Sequence, residues 1–196
     1  MAAFDLDRLP FEFRGAFLEI MNENAELKEK LRLLLAVSQQ DELTGLTNRR
    51  GFLRALEKAI AFSKRYDVPA CLVFVDLNGF KQINDVHGHA IGDLVLKTVG
   101  QRLSRQVRSS DVVARLGGDE FVILFWQVTE EAARSRAGLL MHAISRDELV
   151  ISDTLSIAID ASAGVAVMGK NDTAEALLER ADQAMYRVKT QLKEAV

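Results

Sequence analysis

At 196 residues, 48% hydrophobic and 27% charged, the chain is long enough to bury a core for one catalytic-sized domain with an appendage. Its 25 basic and 28 acidic side chains give a formal net charge of −3, which offers no electrostatic case for binding nucleic acid. No apolar run approaches the ~18 residues of a membrane span, the N-terminus lacks the basic-then-apolar order of a secretion signal, and a single cysteine excludes a disulfide framework, so a cytoplasmic globular protein is expected.

The first forty residues differ from the rest. Phe13, Phe17, Ile20, Asn24, Leu27, Leu31 and Leu34 are spaced alternately by four and three, as in a heptad seam, and neither glycine nor proline interrupts Ala16 to Glu42. With Leu27 and Leu34 at d, Asn24 falls at a, the polar device that favours a parallel two-stranded coil in register. Glu23 at g and Lys28 at the partner's following e then carry opposite charge. Residues 1–40 are therefore expected to form a dimeric coiled coil and residues 41–196 the catalytic domain, the competing reading being an amphipathic helix packed on its own domain.

From Asp41 the chain reads D-E-L-T-G-L-T-N-R-R, where Thr47 or Asn48 can cap a helix running to about Tyr66 with apolar positions Phe52, Leu53, Leu56, Ala59, Ile60 and Phe62. Ala70 to Leu77 is continuously apolar until Asp76, as in a buried central strand, and makes Cys71 a structural thiol rather than a nucleophile. A carboxylate at the end of such a strand needs a cation or a donor network, unless it simply caps the next helix. A helix is expected from Gly92 to about Arg108, with Leu94, Val95, Val99, Leu103 and Val107 inward. Val112 to Phe125 forms two apolar runs hinged on Gly117-Gly118, a hairpin signal. A helix from Thr129 to about Ile144, strands at 153–161 and 162–168, and a helix from Thr173 to about Leu192 complete the chain. Helices mixed with strands that include an antiparallel hairpin indicate an α/β or α+β sandwich of ferredoxin-like kind, a mostly antiparallel sheet flanked by helices.

The hairpin turn is nearly bare backbone, which lets a phosphate chain approach, and Asp119 and Glu120 beside it can hold the accompanying cation. Asp76, on a strand that can lie alongside, would add a carboxylate, and a backbone carbonyl would complete an oxygen-rich Mg²⁺ site. On the hairpin residues alone, an ordinary Gly-Gly turn with solvated acids fits equally well.

G-G-D-E-F at 117–121 is the signature for which the GGDEF diguanylate cyclases are named. The strings D-E-L-T-G-L-T-N-R-R at 41–50, D-L-N-G-F-K-Q-I-N-D at 76–85, G-H-A-I-G-D at 88–93, R-S-S-D at 108–111 and A-D-Q-A-M-Y-R-V-K at 181–189 resemble the same family in its order, covering roughly residues 38–190. The resemblance implies condensation of two GTP molecules into cyclic di-(3′,5′)-GMP with release of two pyrophosphates, in a homodimer whose chains each supply half a site. It implies that Asp76 and Asp119, with the main-chain carbonyl of Leu77 and with Glu120 nearby, bind Mg²⁺ or Mn²⁺. Asp119 also matches the acceptor of the 3′-hydroxyl proton, Glu120 the second acid and Lys81 the stabiliser of charge developing on the phosphates. Asn84 and Asp93 match the guanine-reading pair, a carboxylate accepting from N1–H and N2–H₂ where adenine offers no such donors.

His89 matches a nucleotide-contacting position, Gly117 and Gly118 the phosphate turn, and Phe80 is expected near the phosphates. Lys189 matches a phosphate-contacting lysine. The chain departs from the usual Gly-Arg-Asn ending, with Lys193 where the arginine stands, so a point charge would replace a bidentate fork. Arg108 and Asp111 match the inhibitory product site, although R-x-x-D is also a common surface ion pair. The family's second inhibitory arginine corresponds to Leu139, with Arg134 and Arg136 on the same segment. An upstream sensory domain or a protein partner is expected to act through the coil. A silent receptor for GTP or cyclic di-GMP is the alternative, and a purely structural coil would leave Asp76 and the Gly-Gly turn unexplained.

Overall fold

A computed structural model describes residues 10–37 and 39–194, except for the side chains at 11–12, 29, 31–37 and 192–194. Two compact units divide between residues 38 and 39. The first is a single helix, α1 (Phe11–Val37). Phe13, Ile20 and Leu27 on its seam are each more than half exposed, and Asn24 donates to the Ile20 carbonyl one turn back at 3.0 Å. Leu31 and Leu34 lie outside the described side chains. The described helix ends at Val37, within the 1–40 span expected for it. In the second unit Asp41 folds its own turn, its carboxylate accepting from both the backbone N–H and the hydroxyl of Thr44 at 2.9 and 2.6 Å.

The second unit runs β1 (Thr47–Asn48), α2 (Arg49–Tyr66), β2 (Ala70–Leu77), α3 (Phe80–His87), α4 (His89–Arg105), β3 (Val112–Gly117), β4 (Glu120–Trp126), α5 (Glu130–Ser145), β5 (Leu149–Ser152), β6 (Leu155–Ile157), β7 (Ala161–Val167) and α6 (Ala174–Glu194). One sheet has the order β1-β3-β4-β2-β7, in which only β1 and β3 are parallel; β5 and β6 form a separate hairpin. This is the mostly antiparallel α+β sandwich expected.

Period-two alternation assigns each strand residue to one of two cores. Cys71, Val73, Val75 and Leu77 of β2 with Phe121, Ile123 and Phe125 of β4 pack against residues of α4 and α5. Ala70, Leu72 and Phe74 with Val122 and Leu124 pack against Phe52, Leu56 and Ala59 of α2 and Leu177, Ala181 and Met185 of α6. Each large side chain buried this way contributes about 1.5–3 kcal/mol. The same alternation puts Asp76 on the α6 side and turns Leu77 into the opposite core, where only its carbonyl is free to act as a ligand. Burial pushes the Cys71 thiol up to about 11, which keeps it protonated and inert.

Several boundaries differ from the sequence reading. The helix expected from Gly92 begins at His89 and is preceded by α3, whose eight residues are too few to show a period. Leu94 is exposed and Leu96 takes its place in the core. The strand expected over 153–161 is broken at Asp153-Thr154, the turn of the small β5–β6 hairpin.

Gly164 in β7 sets how close α6 can lie. A Cβ there would come within 2.0 Å of the Met185 nitrogen and 2.4 Å of the Ala181 carbonyl oxygen, so helix backbone rests directly on strand backbone. Gly164→Ala should lower the melting temperature by several degrees, an overpacking cost of about 1–3 kcal/mol. Gly138→Ala, where a Cβ meets nothing within 4 Å in α5, should leave it unchanged or raise it slightly. Equal effects of the two substitutions in thermal melts would contradict this packing account.

Candidate active site

The acidic residues converge because of strand register. Asp76 on β2 pairs directly with Glu120 on β4, and Asp119 precedes Glu120 in the turn. A bulge between Arg115 and Gly117 shifts the hairpin by one residue, so the turn consists of Gly118 and Asp119 rather than Gly117-Gly118. Gly117 at φ 148° and Gly118 at φ 51° both hold backbone that favours glycine. Asp119 is thus placed inside the turn, against bare backbone.

Arg115 fixes that turn from within. Its Nε and one Nη donate to the Gly118 carbonyl at 2.9 and 2.8 Å, while the other Nη donates to both oxygens of Asp41 at 3.2 Å. Parallel pairing of Thr47-Asn48 with Ala114-Arg115, a bridge from Gln40 to Thr47, and Asn48 capping α2 through the Gly51 N–H hold residues 40–48 in place. Although burial opposes it, the hydrogen bonds from Thr44 and the Arg115 guanidinium together pull the Asp41 carboxyl below its usual range.

Negative charge accumulates around the turn. Burial, followed by the charge of Asp76, raises Asp119 above the ordinary carboxylate range, against the pull of a backbone hydrogen bond, Lys189 and Arg115. Burial raises Glu120 as well, reinforced by Asp182, Asp76 and Asp119 and opposed by Arg49. Lys189, projecting from α6 one turn beyond Met185, donates to Asp76 Oδ1. Among the described residues no three acidic, His or Cys side chains form a ready-made metal cage. Hard oxygen donors under mutual repulsion nevertheless suit a divalent cation that takes one or two carboxylates and completes its shell with phosphate and water. The residues therefore fit Mg²⁺ or Mn²⁺, with Asp76, Asp119, Glu120 and the Leu77 carbonyl as donors.

The β2–α3 connection lies beside these acids. Asn78 fastens it, its side chain donating to Asp160 at 2.8 Å and accepting from Ser162 at 3.0 Å. Lys81 is exposed in the first turn of α3, whose N-terminal N–H groups favour an anion. Phe80, the first residue of α3, is buried in the core and its ring anchors the helix there. Asn84 is half-buried against Gly92, where a Cβ would stand 1.9 Å from its Oδ1. That close approach gathers Asn84, His89 and Asp93 at the α3–α4 corner, the last two exposed. Lys193 lies outside the described side chains.

Arg108 and Asp111 do not form the surface ion pair that their spacing suggests. The Asp111 carboxylate is buried and accepts from the backbone N–H groups of Arg108 and Trp126 at 3.1 and 3.2 Å and from Arg136 at 2.5 Å. Arg136 stacks 3.8 Å over the Phe125 ring. Asp111 thus shapes the turn, and Arg108 is its exposed cation. Arg115, Asp41, Asp182 and Arg136 carry this geometry and were not assigned roles from sequence. R-L immediately before the Gly-Gly pair was the available signal for Arg115; nothing local marks Arg136 as Asp111's partner.

Bare backbone, clustered carboxylates and a flanking helix start are features that suit a phosphate chain with its cation. The family model for the diguanylate cyclase GGDEF domain matches residues 38–195, and the chain belongs to that family. It is 34% identical over 190 residues to diguanylate cyclase TpbB of Pseudomonas aeruginosa, covering 96% of this chain and 44% of TpbB. It is 34% identical over 177 residues to response regulator PleD of Caulobacter vibrioides, covering 87% of this chain and 38% of PleD. The chain thus spans less than half the length of these relatives. The structure of the coiled coil and GGDEF domain of DgcB from Caulobacter crescentus, in complex with c-di-GMP, matches with a TM-score of 0.80 at 26% identity, over 91% of this chain and 95% of that one. Diguanylate cyclase SiaD of Pseudomonas aeruginosa, in complex with its activator SiaC, matches with a TM-score of 0.77 at 29% identity, over 90% and 68%.

The Asp41–Arg115 link has a pH signature. A carboxyl held below its unfolded value contributes stability that is present above that value, about 3.9, and lost as pH falls through the folded one. The melting temperature of the wild type should exceed that of Asp41→Asn by a constant margin from pH 7 to about 5, and the margin should close below about pH 4. A margin that widens on acidification would exclude this role.

Proposed function

We propose that this chain is a diguanylate cyclase that condenses two GTP molecules into cyclic di-(3′,5′)-GMP as a dimer of half-sites. The observation that carries the reading is the register pairing of Asp76 with Glu120, next to Asp119 in the Gly118-Asp119 turn. Family membership and the relatives named as diguanylate cyclases support the same activity.

Asn84 and Asp93 hold the guanine edge, and the bare turn with the N-terminus of α3 receives the triphosphate. Asp76, Asp119, Glu120 and the Leu77 carbonyl would hold Mg²⁺ or Mn²⁺, which supplies charge neutralisation at the phosphates when bound. The 3′-oxygen of one GTP attacks the α-phosphorus of the other; a P–O bond forms, the bond to the bridging oxygen breaks, and pyrophosphate leaves. Asp119, raised by burial and its neighbours, accepts the proton of the 3′-hydroxyl. Lys81 and Lys189 face the charge that develops on the phosphates, with Lys193 in the place of a further cation. A second, symmetrical step closes the ring.

One site binds one GTP, so chemistry requires two chains face to face. The exposed seam of Phe13, Ile20 and Leu27 on α1 supports pairing as a parallel coil, which would raise the effective concentration of half-sites to about millimolar. A sensory module or protein partner acting on that coil would set the rate. Arg108, displayed by the Asp111 turn, binds product and inhibits. No described helix is long and apolar enough to cross a membrane, and we place the reaction in the cytoplasm, where GTP is made.

Purified protein with GTP and Mg²⁺ should release cyclic di-GMP and pyrophosphate, and Asp119→Ala should lower kcat by at least about 10²-fold with little change in melting temperature. Turnover that persists in Asp119→Ala would refute the acid assignment. A wild type that binds cyclic di-GMP through Arg108 but makes none would favour the receptor reading.

A further inference from the structure

In the sheet order β1-β3-β4-β2-β7, only β2 pairs with β7, so the other edge of β7 is open. The ladder fixes which backbone groups lie on that edge. The Met168 N–H donates to the Ala70 carbonyl at 2.9 Å, just past the last paired residues, and antiparallel strands exchange such bonds at every second residue. Gly164 and Ala166 therefore point their N–H and C=O groups at β2, while those of Ala163, Val165 and Val167 point away from it. Arg180 marks the outward direction at one end, its guanidinium donating to the Val167 carbonyl at 2.7 Å. Among the described residues nothing bonds the outward backbone groups of Ala163 or Val165.

Such an edge is commonly covered, twisted away or blunted with charge. Here α5 and α6 flank it without closing over it. Two recesses, of about 360 and 560 Å³, follow one another along the strand, the first at Ala161–Val165 and the second at Val165–Val167. Both are lined by Arg134 of α5 and by Ala184 and Val188 of α6, which makes them one groove. Its walls leave room: a Cβ on Gly138 of α5 would meet nothing within 4 Å, and Ala137 and Ala184 beside it are small. Its rim is basic. Arg134, Arg180 and Arg187 line the groove, and among the described residues no acidic side chain does. Arg134 is held by Glu130 and Arg180 by Asp172, which leaves Arg187 as the rim's unpaired cation among the described residues. Arg180 blunts the Val167 end of the edge; Ala163 and Val165 stay bare.

We propose that this groove takes an extended acidic segment of another protein, which adds to β7 as a sixth strand of the sheet. Backbone bonds to Ala163 and Val165 would hold the segment, as in other cases of strand addition. Its side chains would point alternately toward α5 and α6, where Arg134 and Arg187 can pair with carboxylates while small or apolar groups settle on Ala137, Gly138 and Ala184. A second copy of this chain is a poorer occupant, because a two-fold pairing of β7 with β7 would bring the same three arginines together. A nucleotide is poorer still, since no aromatic ring lines the groove for a base to stack on.

A seven-residue peptide of alternating glutamate and valine, blocked at both ends, is the probe. Titrated into the full chain and followed by NMR, it should bind saturably and slow amide exchange at Ala163 and Val165 by about ten-fold or more, while Gly164 and Ala166, already bonded to β2, change little. Arg187→Glu should weaken its Kd by about ten-fold or more and leave melting temperature and basal cyclase activity unchanged. The same peptide methylated on two adjacent central backbone nitrogens keeps its charge but loses donors on both edges, and should lose about ten-fold or more in affinity. A peptide of alternating lysine and valine should not bind. If the methylated peptide binds equally, or exchange at Ala163 and Val165 is unmoved, the contact is with charge alone and the added strand is wrong. If the lysine peptide binds as well, the arginines do not select the partner and the acidic assignment is wrong. If exchange at Ala163 and Val165 instead slows as the chain itself is concentrated, the edge belongs to a second copy; if no peptide binds, the groove takes no strand.

Discussion

Three carboxylates held at one end of a buried sheet are the constraint around which this domain is arranged. Register alone sets Asp76 directly opposite Glu120, a like-charge cross-strand pair that is unfavourable in itself, and the turn adds Asp119. Burial and mutual repulsion raise both Asp119 and Glu120, so the fold holds charge where water solvates it poorly. Such an arrangement persists only because the strands beneath it are over-determined. β2 is buried along nearly its whole length, and Phe121, Ile123 and Phe125 alternate into one core while Val122 and Leu124 enter the other. Local conflict supported by a consistent surrounding structure is the expected pattern at a functional site.

The supports are specific. Arg115 spans from the Gly118 carbonyl to Asp41, so the turn that carries Asp119 is fastened to the segment that opens the domain. Gly164 lets α6 settle onto β7, and that depth brings Lys189 to Asp76. Asn78 fixes the end of β2 to Asp160 and Ser162. Arg115, Gly164 and Asn78 need not touch a nucleotide for the site to depend on them. Beside the site, the Asp111 carboxylate repeats the same logic, a buried acid organising a turn so that a neighbouring cation is displayed.

How much of this was legible in the sequence follows from the range of the interactions. β2 was readable to the residue because an apolar run from Ala70 to Val75, opened by Pro69 and followed by Asp76-Leu77 and the polar Asn78, fits a buried strand, and α2, α5 and α6 because their caps are local: Asn48, Thr129 and Thr173 each accept from an N–H three residues on. The hairpin was found but displaced by one residue, since a bulge leaves no mark in the apolar pattern. β1, two residues long, and α3, eight, are too short to show a period and exist because β3 and the α4 corner hold them. Phe80, expected near the phosphates, lies in the core at the start of α3, where its hydrophobicity alone would put it. The partnership of Asp111 with Arg136, and of Asp41 with Arg115, joins residues far apart in the chain and becomes visible only once the sheet is assembled.

The central claim is that the acids at the β2–β4 end form a cation-dependent site for the triphosphate of GTP. Calorimetric titration of a GTP analogue without a 3′-hydroxyl, which can bind but cannot react, tests it most directly. The wild type should bind in Mg²⁺ and lose at least ten-fold in affinity when the cation is chelated, whereas Asp76→Asn should bind weakly under both conditions. Equal affinity of wild type and variant, or binding indifferent to the cation, would contradict the account.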